Sequence, residues 1–96
     1  DEMFLEMARS LGTTAAKRDG ELSDRAGWIF QRLLTRAPSK DELASLIRYV
    51  TAQKSRLDAK EIEATKIGGV NASSETAALT MLARSLMNLD EVITKQ

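Results

Sequence analysis

Residues 30–43, Phe30-Gln31-Arg32-Leu33-Leu34-Thr35-Arg36-Ala37-Pro38-Ser39-Lys40-Asp41-Glu42-Leu43, constrain the fold more than any other stretch of the chain. A proline pushes the residue before it out of helical geometry, so Pro38 is expected to end the helix that carries Phe30, Leu33 and Leu34. Directly after it, Ser39-Lys40-Asp41-Glu42 has the spacing of a capping box. The Ser39 hydroxyl can accept from the Glu42 amide while the Glu42 carboxylate accepts from the Ser39 amide. One helix thus stops and the next starts within a few residues, and this corner sets how the two cross. Arg36 is placed in the last turn of the earlier helix, where a cation offsets the macrodipole. Its expected partner is Asp90 or Glu91, an ion pair that would tie the corner to the end of the chain. Arg36, Pro38, Ser39, Glu42, Asn88 and Asp90 are the candidate structural residues.

Apolar residues recur at helical spacing on either side of this corner. A first helix is expected over about Glu2–Lys17, burying Phe4, Met7, Ala8, Leu11 and Ala15, with Gly12 on or near that stripe where a neighbouring helix could approach closely. Lys17-Arg18-Asp19-Gly20-Glu21 reads as a loop stopped by Gly20. Ser23 or Asp24 is expected to cap a second helix with the stripe Ala26, Ile29, Phe30, Leu33 and Leu34. Trp28 points away from that stripe and is the candidate interaction surface, most simply by packing against another element. The third helix buries Leu43, Leu46, Ile47 and Val50, and Leu57 if it stays straight. The pattern weakens from Asp58 to Val70, where a short helix or helical extension ends at Gly68-Gly69, read as a C-cap because no lysine or preceding strand supports a phosphate cradle. A last helix spans about Glu75–Asn88 with the stripe Ala78, Leu82, Leu86 and Leu89, which Ile93 would continue.

Chemistry is limited by what is missing. With no cysteine and no histidine, a thiolate nucleophile, a Ser-His-Asp triad, a Cys-x-x-Cys-His haem attachment and zinc sites built on those residues are excluded. Carboxylates are then the only general bases near neutral pH. Asp41-Glu42 and Asp90-Glu91 are adjacent pairs, but neighbours on a helix point about 100 degrees apart, so capping explains them better than catalysis. No catalytic, cofactor-binding or metal-ligating residue is assigned. The methionines at 3, 7, 81 and 87 offer either a pliable partner-binding face or ordinary core filling. Fourteen basic residues balance fourteen acidic ones, which disfavours a nucleic-acid or anionic-membrane footprint. Between Leu22 and Arg56 seven Lys or Arg face three Asp or Glu, an excess read as solvated helix faces. No apolar run approaches the roughly 18 residues a membrane span requires.

The motifs in order carry a resemblance. Trp28-Ile29-Phe30, then Leu33-Leu34-Thr35-Arg36-Ala37-Pro38-Ser39 and Glu42-Leu43, follow a pattern of aromatic, Leu-x-Arg-x-Pro-Ser/Thr-x-x-Glu-Leu. Leu82-Ala83-Arg84-Ser85-Leu86-Met87-Asn88-Leu89-Asp90-Glu91-Val92-Ile93-Thr94-Lys95 is similar to Leu-Ala-Arg-x-Leu-Leu-Asn-Leu-Asp-Glu-x-Ile-Thr-Arg. Together with Phe4-Leu5-Glu6-Met7-Ala8-Arg9 they resemble the C-terminal part of the planctomycete domain of unknown function 1553. Leu79 stands near a frequent Trp of that family, and Val92 replaces a usual Phe or Thr. The resemblance implies a domain at the C-terminal end of a large, exported, periplasmic or cell-surface protein whose other parts include a cytochrome c-like haem module. The haem would belong to that module, and this segment holds no cofactor.

The expectation is an all-α domain over residues 1–96, a compact bundle of four main helices, mostly antiparallel neighbours, with a short fifth between the third and fourth. Opening within a helical pattern, it reads as a piece of something longer. The expected function is a structural or docking module whose partners are other domains of its parent, without membrane insertion. The alternative is an accessory part of a carbohydrate-active or other hydrolytic site whose main residues lie upstream. A third reading, nucleic-acid binding through Arg25, Arg32, Arg36 and Arg48, runs against the even charge.

Overall fold

The computed structural model describes residues 2–89 as five helices and no strand. They are α1 (Glu2–Lys17), α2 (Leu22–Leu34), α3 (Lys40–Asp58), α4 (Ala64–Gly68) and α5 (Ser74–Met87). The all-α bundle of four main helices and a short fifth is therefore the observed architecture.

Its centre is α5. Between Glu75 and Arg84 this helix has no charged residue, and a helix apolar on most of its circumference can satisfy that surface only by being surrounded. The other four helices all pack on it. The buried set is wider than one stripe: Ala77, Ala78, Leu79, Thr80, Leu82, Ala83, Leu86 and Met87. Leu89, expected to extend it, lies beyond the last turn and is 43% exposed. Thr80 is fully buried, and its hydroxyl donates to the Thr76 carbonyl at 2.9 Å, which removes the cost of an unpaired polar group in the core.

Helix α1 lies antiparallel to α5, with Gly12 opposite Thr80 and Leu5 near Arg84 and Asn88. Its buried residues are Ala8, Gly12 and Ala15, so the helices meet through small side chains rather than through Phe4 and Met7. Those two, expected inside, are 40% and 49% exposed. The close approach explains the difference. A Cβ on Gly12 would stand 2.8 Å from the Thr80 amide nitrogen and 3.0 Å from its Cα. A seam this tight is centred on Ala8, Gly12 and Ala15, which leaves Met7 off its axis, while Phe4, one turn before Ala8, stands near the helix end beside Arg84 and Asn88.

Helix α2 starts earlier than Ser23 or Asp24. Glu21 is the N-cap residue, and Asp24 acts as its third helical position, taking the Glu21 amide on its carboxylate at 2.8 Å. The end also comes earlier than Pro38. The helix closes at Leu34 because Thr35 adopts the left-handed conformation (φ 59°, ψ 26°) and donates its amide to the Gln31 carbonyl at 2.9 Å. Arg36 therefore follows the helix instead of sitting in its last turn. Pro38 prevents the chain from resuming helix before Ser39. Ile29, Phe30 and Leu34 bury as expected, and Leu33 packs half-buried against the core.

Helix α3 runs unbroken through Leu57, which is buried with Leu46 and Val50, whereas Ile47 remains partly exposed. It ends without a glycine. Lys60 takes positive φ (63°), and the Glu61 amide reaches back to the Arg56 carbonyl at 3.0 Å. The Gly68-Gly69 pair closes α4, Gly69 being its C-cap with φ 98°, a conformation that glycine adopts at no steric cost. Ser73 then caps α5, accepting from the Thr76 amide at 3.1 Å.

Ile29, Leu34, Leu79 and Val50 are the largest fully buried apolar side chains. Truncating any of the three larger ones to alanine should cost about 2–5 kcal/mol.

Candidate functional site

The corner holds the densest polar network. Ser39 and Glu42 form the expected capping box: the Glu42 amide donates to Ser39 Oγ at 3.1 Å, and the Ser39 amide donates to Glu42 Oε1 at 2.8 Å. Arg36 closes over it, Nη1 donating to Glu42 Oε1 at 2.8 Å and Nη2 to Oε2 at 3.0 Å. This is the bidentate geometry that makes a guanidinium–carboxylate pair specific. The other face of the network is aromatic, since the Arg36 guanidinium carbon lies 5.0 Å from the centre of the Phe30 ring. The hydrogen bond from Arg36, followed by the one from the Ser39 amide, lowers the Glu42 carboxyl from 4.5 to about 2. A carboxylate so held is ionised at neutral pH with both oxygens occupied. It serves as a clamp rather than as a proton donor.

Pro38 is half-buried within this corner. Glu42 is the partner the corner supplies to Arg36. The expected partners Asp90 and Glu91, with Asp90 as a candidate structural residue, lie outside the described residues. Asn88 is the C-cap of α5; it is exposed and borders two shallow depressions, one with Tyr49 and Met81 and one with Phe4 and Leu5.

Trp28 is half-buried, packed against the core and covered by Arg18, whose guanidinium carbon is 4.9 Å from the ring centre. With Gln31, Arg32 and Thr35 it lines an open groove of about 390 Å³. A second groove of about 430 Å³ lies where the α3 end, α4 and the start of α5 converge, with Leu57, Ile62 and Ala64 on its walls. The Asp58 carboxyl nearby is lowered by the Ser74 hydroxyl first and Lys54 second, so α5 begins beside an ionised acid of its own chain.

The four arginines weighed for nucleic acid are placed differently from one another. Arg25 is paired with Glu75 and donates its Nε to the Arg18 carbonyl at 2.9 Å. Arg36 is bound by Glu42, and Arg48 reaches Ser45 at 3.1 Å. Arg32 is exposed beside the Trp28 groove.

Two structural cations escaped the sequence reading. Arg9 donates Nε to the Ile67 carbonyl at 3.0 Å and Nη2 to the Lys66 carbonyl at 2.9 Å, fastening the end of α4 to α1. Arg25 fastens the end of α1 to the start of α5 through the Arg18 carbonyl and Glu75. Three of their four partners are backbone carbonyls, which carry no residue-type signal, and all but the Arg18 carbonyl are distant in sequence.

Apart from Val70, 92% exposed between α4 and α5, the exposed large apolar residues among those described gather elsewhere. Met3, Phe4 and Met7 occupy one end of α1, and the antiparallel register places the α5 terminus and Leu89 at the same end of the molecule. Met3 is 72% exposed. Met81 is partly buried and Met87 buried, so the methionines divide into a surface pair and a core pair. Among the described residues, no group of three or more acidic residues is placed to hold a metal ion, and no helix is long and apolar enough to cross a membrane.

Comparison of the chain with protein-family models, with curated proteins and with solved structures returned no match.

Proposed function

We propose that this chain is a helical docking module, which seats the shared end of α1 and α5 against other domains of a larger multidomain protein. The observation that carries the reading is the grouping of Met3, Phe4, Met7 and Leu89 as exposed large apolar residues at one end of a molecule whose core is closed without them. Apolar area facing water costs on the order of 25 cal/mol per Å² relative to burial, so a cluster of this kind favours association. Methionine suits it, because an unbranched thioether adapts to an irregular partner surface. Trp28 contributes less to such a surface, since Arg18 already covers its ring.

The resemblance to the planctomycete domain family supports the same reading and supplies its context. The parent is then an exported protein, any haem sits in a separate module, and this segment acts by holding domains together. A photoreactive phenylalanine analogue at position 4 of the full-length chain in its own host tests the proposal. Cross-links to residues outside these 96 are expected. Reaction with solvent alone would overturn it.

A further inference from the structure

The four methionines are graded by exposure. Met3 and Met7 stand one helical turn apart on α1, 72% and 49% exposed. Met81 is partly buried beside Tyr49 and Ile67, and Met87 is 2% exposed in the core. A thioether is oxidised only where a peroxide can bring its oxygen to the sulfur, so susceptibility follows that order.

We propose that Met3 and Met7 form a modification site for hydroperoxide-class oxidants, and that their conversion to sulfoxides switches off docking at this end of the molecule. The sulfur lone pair attacks one peroxide oxygen, and an S–O bond forms as the O–O bond breaks. Sulfur loses two electrons, and the departing oxygen takes a proton to leave as water or an alcohol. Each event replaces an adaptable apolar surface with a strongly polar S–O group that association would have to desolvate. Phe4 lies in sequence between the two, so a pair of sulfoxides would flank the aromatic anchor. The fold tolerates the change, because neither side chain belongs to the buried core. The switching half rests on the docking reading; the modification half stands on exposure alone.

Graded hydrogen peroxide applied to the intact protein, followed by digestion and peptide mass mapping, tests the modification. Met3 and Met7 should oxidise at least roughly tenfold faster than Met87, with Met81 between them, while helical circular dichroism stays constant. Oxidation of Met87 at the rate of Met3, or helix loss in step with Met3 and Met7, would overturn the site. For the switch, cross-linking from position 4 of the full-length chain is measured before and after peroxide. Cross-links should disappear on oxidation and persist in the Met3→Leu/Met7→Leu variant. Loss of cross-links in that variant as well would overturn the switch. Their absence before any oxidation would refute docking while leaving the mass-mapping result standing.

Discussion

Gly12→Ala separates the two effects that set the α1–α5 seam. On helix propensity alone the substitution should stabilise by about 0.5–1 kcal/mol, since alanine loses less backbone freedom on folding than glycine. The neighbouring helix opposes this. The added methyl would lie 2.8 Å from the Thr80 nitrogen and 3.0 Å from its Cα, with the Thr80 hydroxyl closer still. The obstruction includes backbone, so a rotamer change cannot relieve it, and α5 must move away from α1. Overpacking of this kind costs about 1–3 kcal/mol, and a backbone obstacle puts it near the upper limit. The net expectation is a loss of about 2–2.5 kcal/mol, or roughly 8–20 °C in melting temperature for a chain of this size. Gly27→Ala is the control. Its methyl would meet Leu43 Cδ1 at 3.7 Å, an ordinary contact, so propensity should prevail with a gain of about 0.5–1 kcal/mol. Thermal unfolding followed by circular dichroism reads both variants. Adding Thr80→Ala to Gly12→Ala should recover only part of the loss, because the Thr80 nitrogen and Cα remain. If Gly12→Ala were as stable as the parent, the close approach of the two helices would be refuted.

Other perturbations address the polar elements. Thr35→Gly should raise stability by about 0.5–1 kcal/mol, since glycine accepts the left-handed cap at φ 59° without the penalty of a β-branched side chain; a lower melting temperature would show that the Thr35 side chain outweighs that strain. Arg25→Met removes the Glu75 pair and the donor to the Arg18 carbonyl and should cost about 1–2 kcal/mol in chemical denaturation; an unchanged midpoint would count against its role as a fastener. The Glu42 carboxyl, followed by carbon-detected NMR, should titrate at about 2 in the parent and move toward 4.5 in Arg36→Met. Because folding depresses this group, its contribution to stability is fully present above the unfolded value near 4.5 and is lost as pH falls toward 2. A midpoint near 4.5 in the parent would rule out the clamp.

Local rules made part of the molecule legible in advance. The capping box at Ser39 and Glu42, the helical stripes of α2 and α3 and the glycine cap after α4 follow from residue type and spacing within one or two turns. The ends of α2 and α3 were less legible. Thr35 and Lys60 adopt the left-handed conformation usually given to glycine, which their residue types do not signal. Among the described residues Arg36 is clamped by the carboxylate of Glu42, six residues away in the corner, a partner that its residue type did not single out; the expected partners Asp90 and Glu91 lie outside those residues.

The amino-acid order alone determined that the chain is helical, roughly where its helices run, and that it lacks the residues for thiol or imidazole chemistry. Those outcomes depend on periodicity, capping and composition, which are local or additive properties. Which apolar residues remain at the surface was decided by tertiary packing. Phe4, Met7 and Leu89 have the same periodicity as buried residues, but the choice between inside and outside depends on how neighbouring helices rotate to meet. The α1–α5 approach is set by one glycine against one threonine, a contact between residues 12 and 80 that no local pattern encodes.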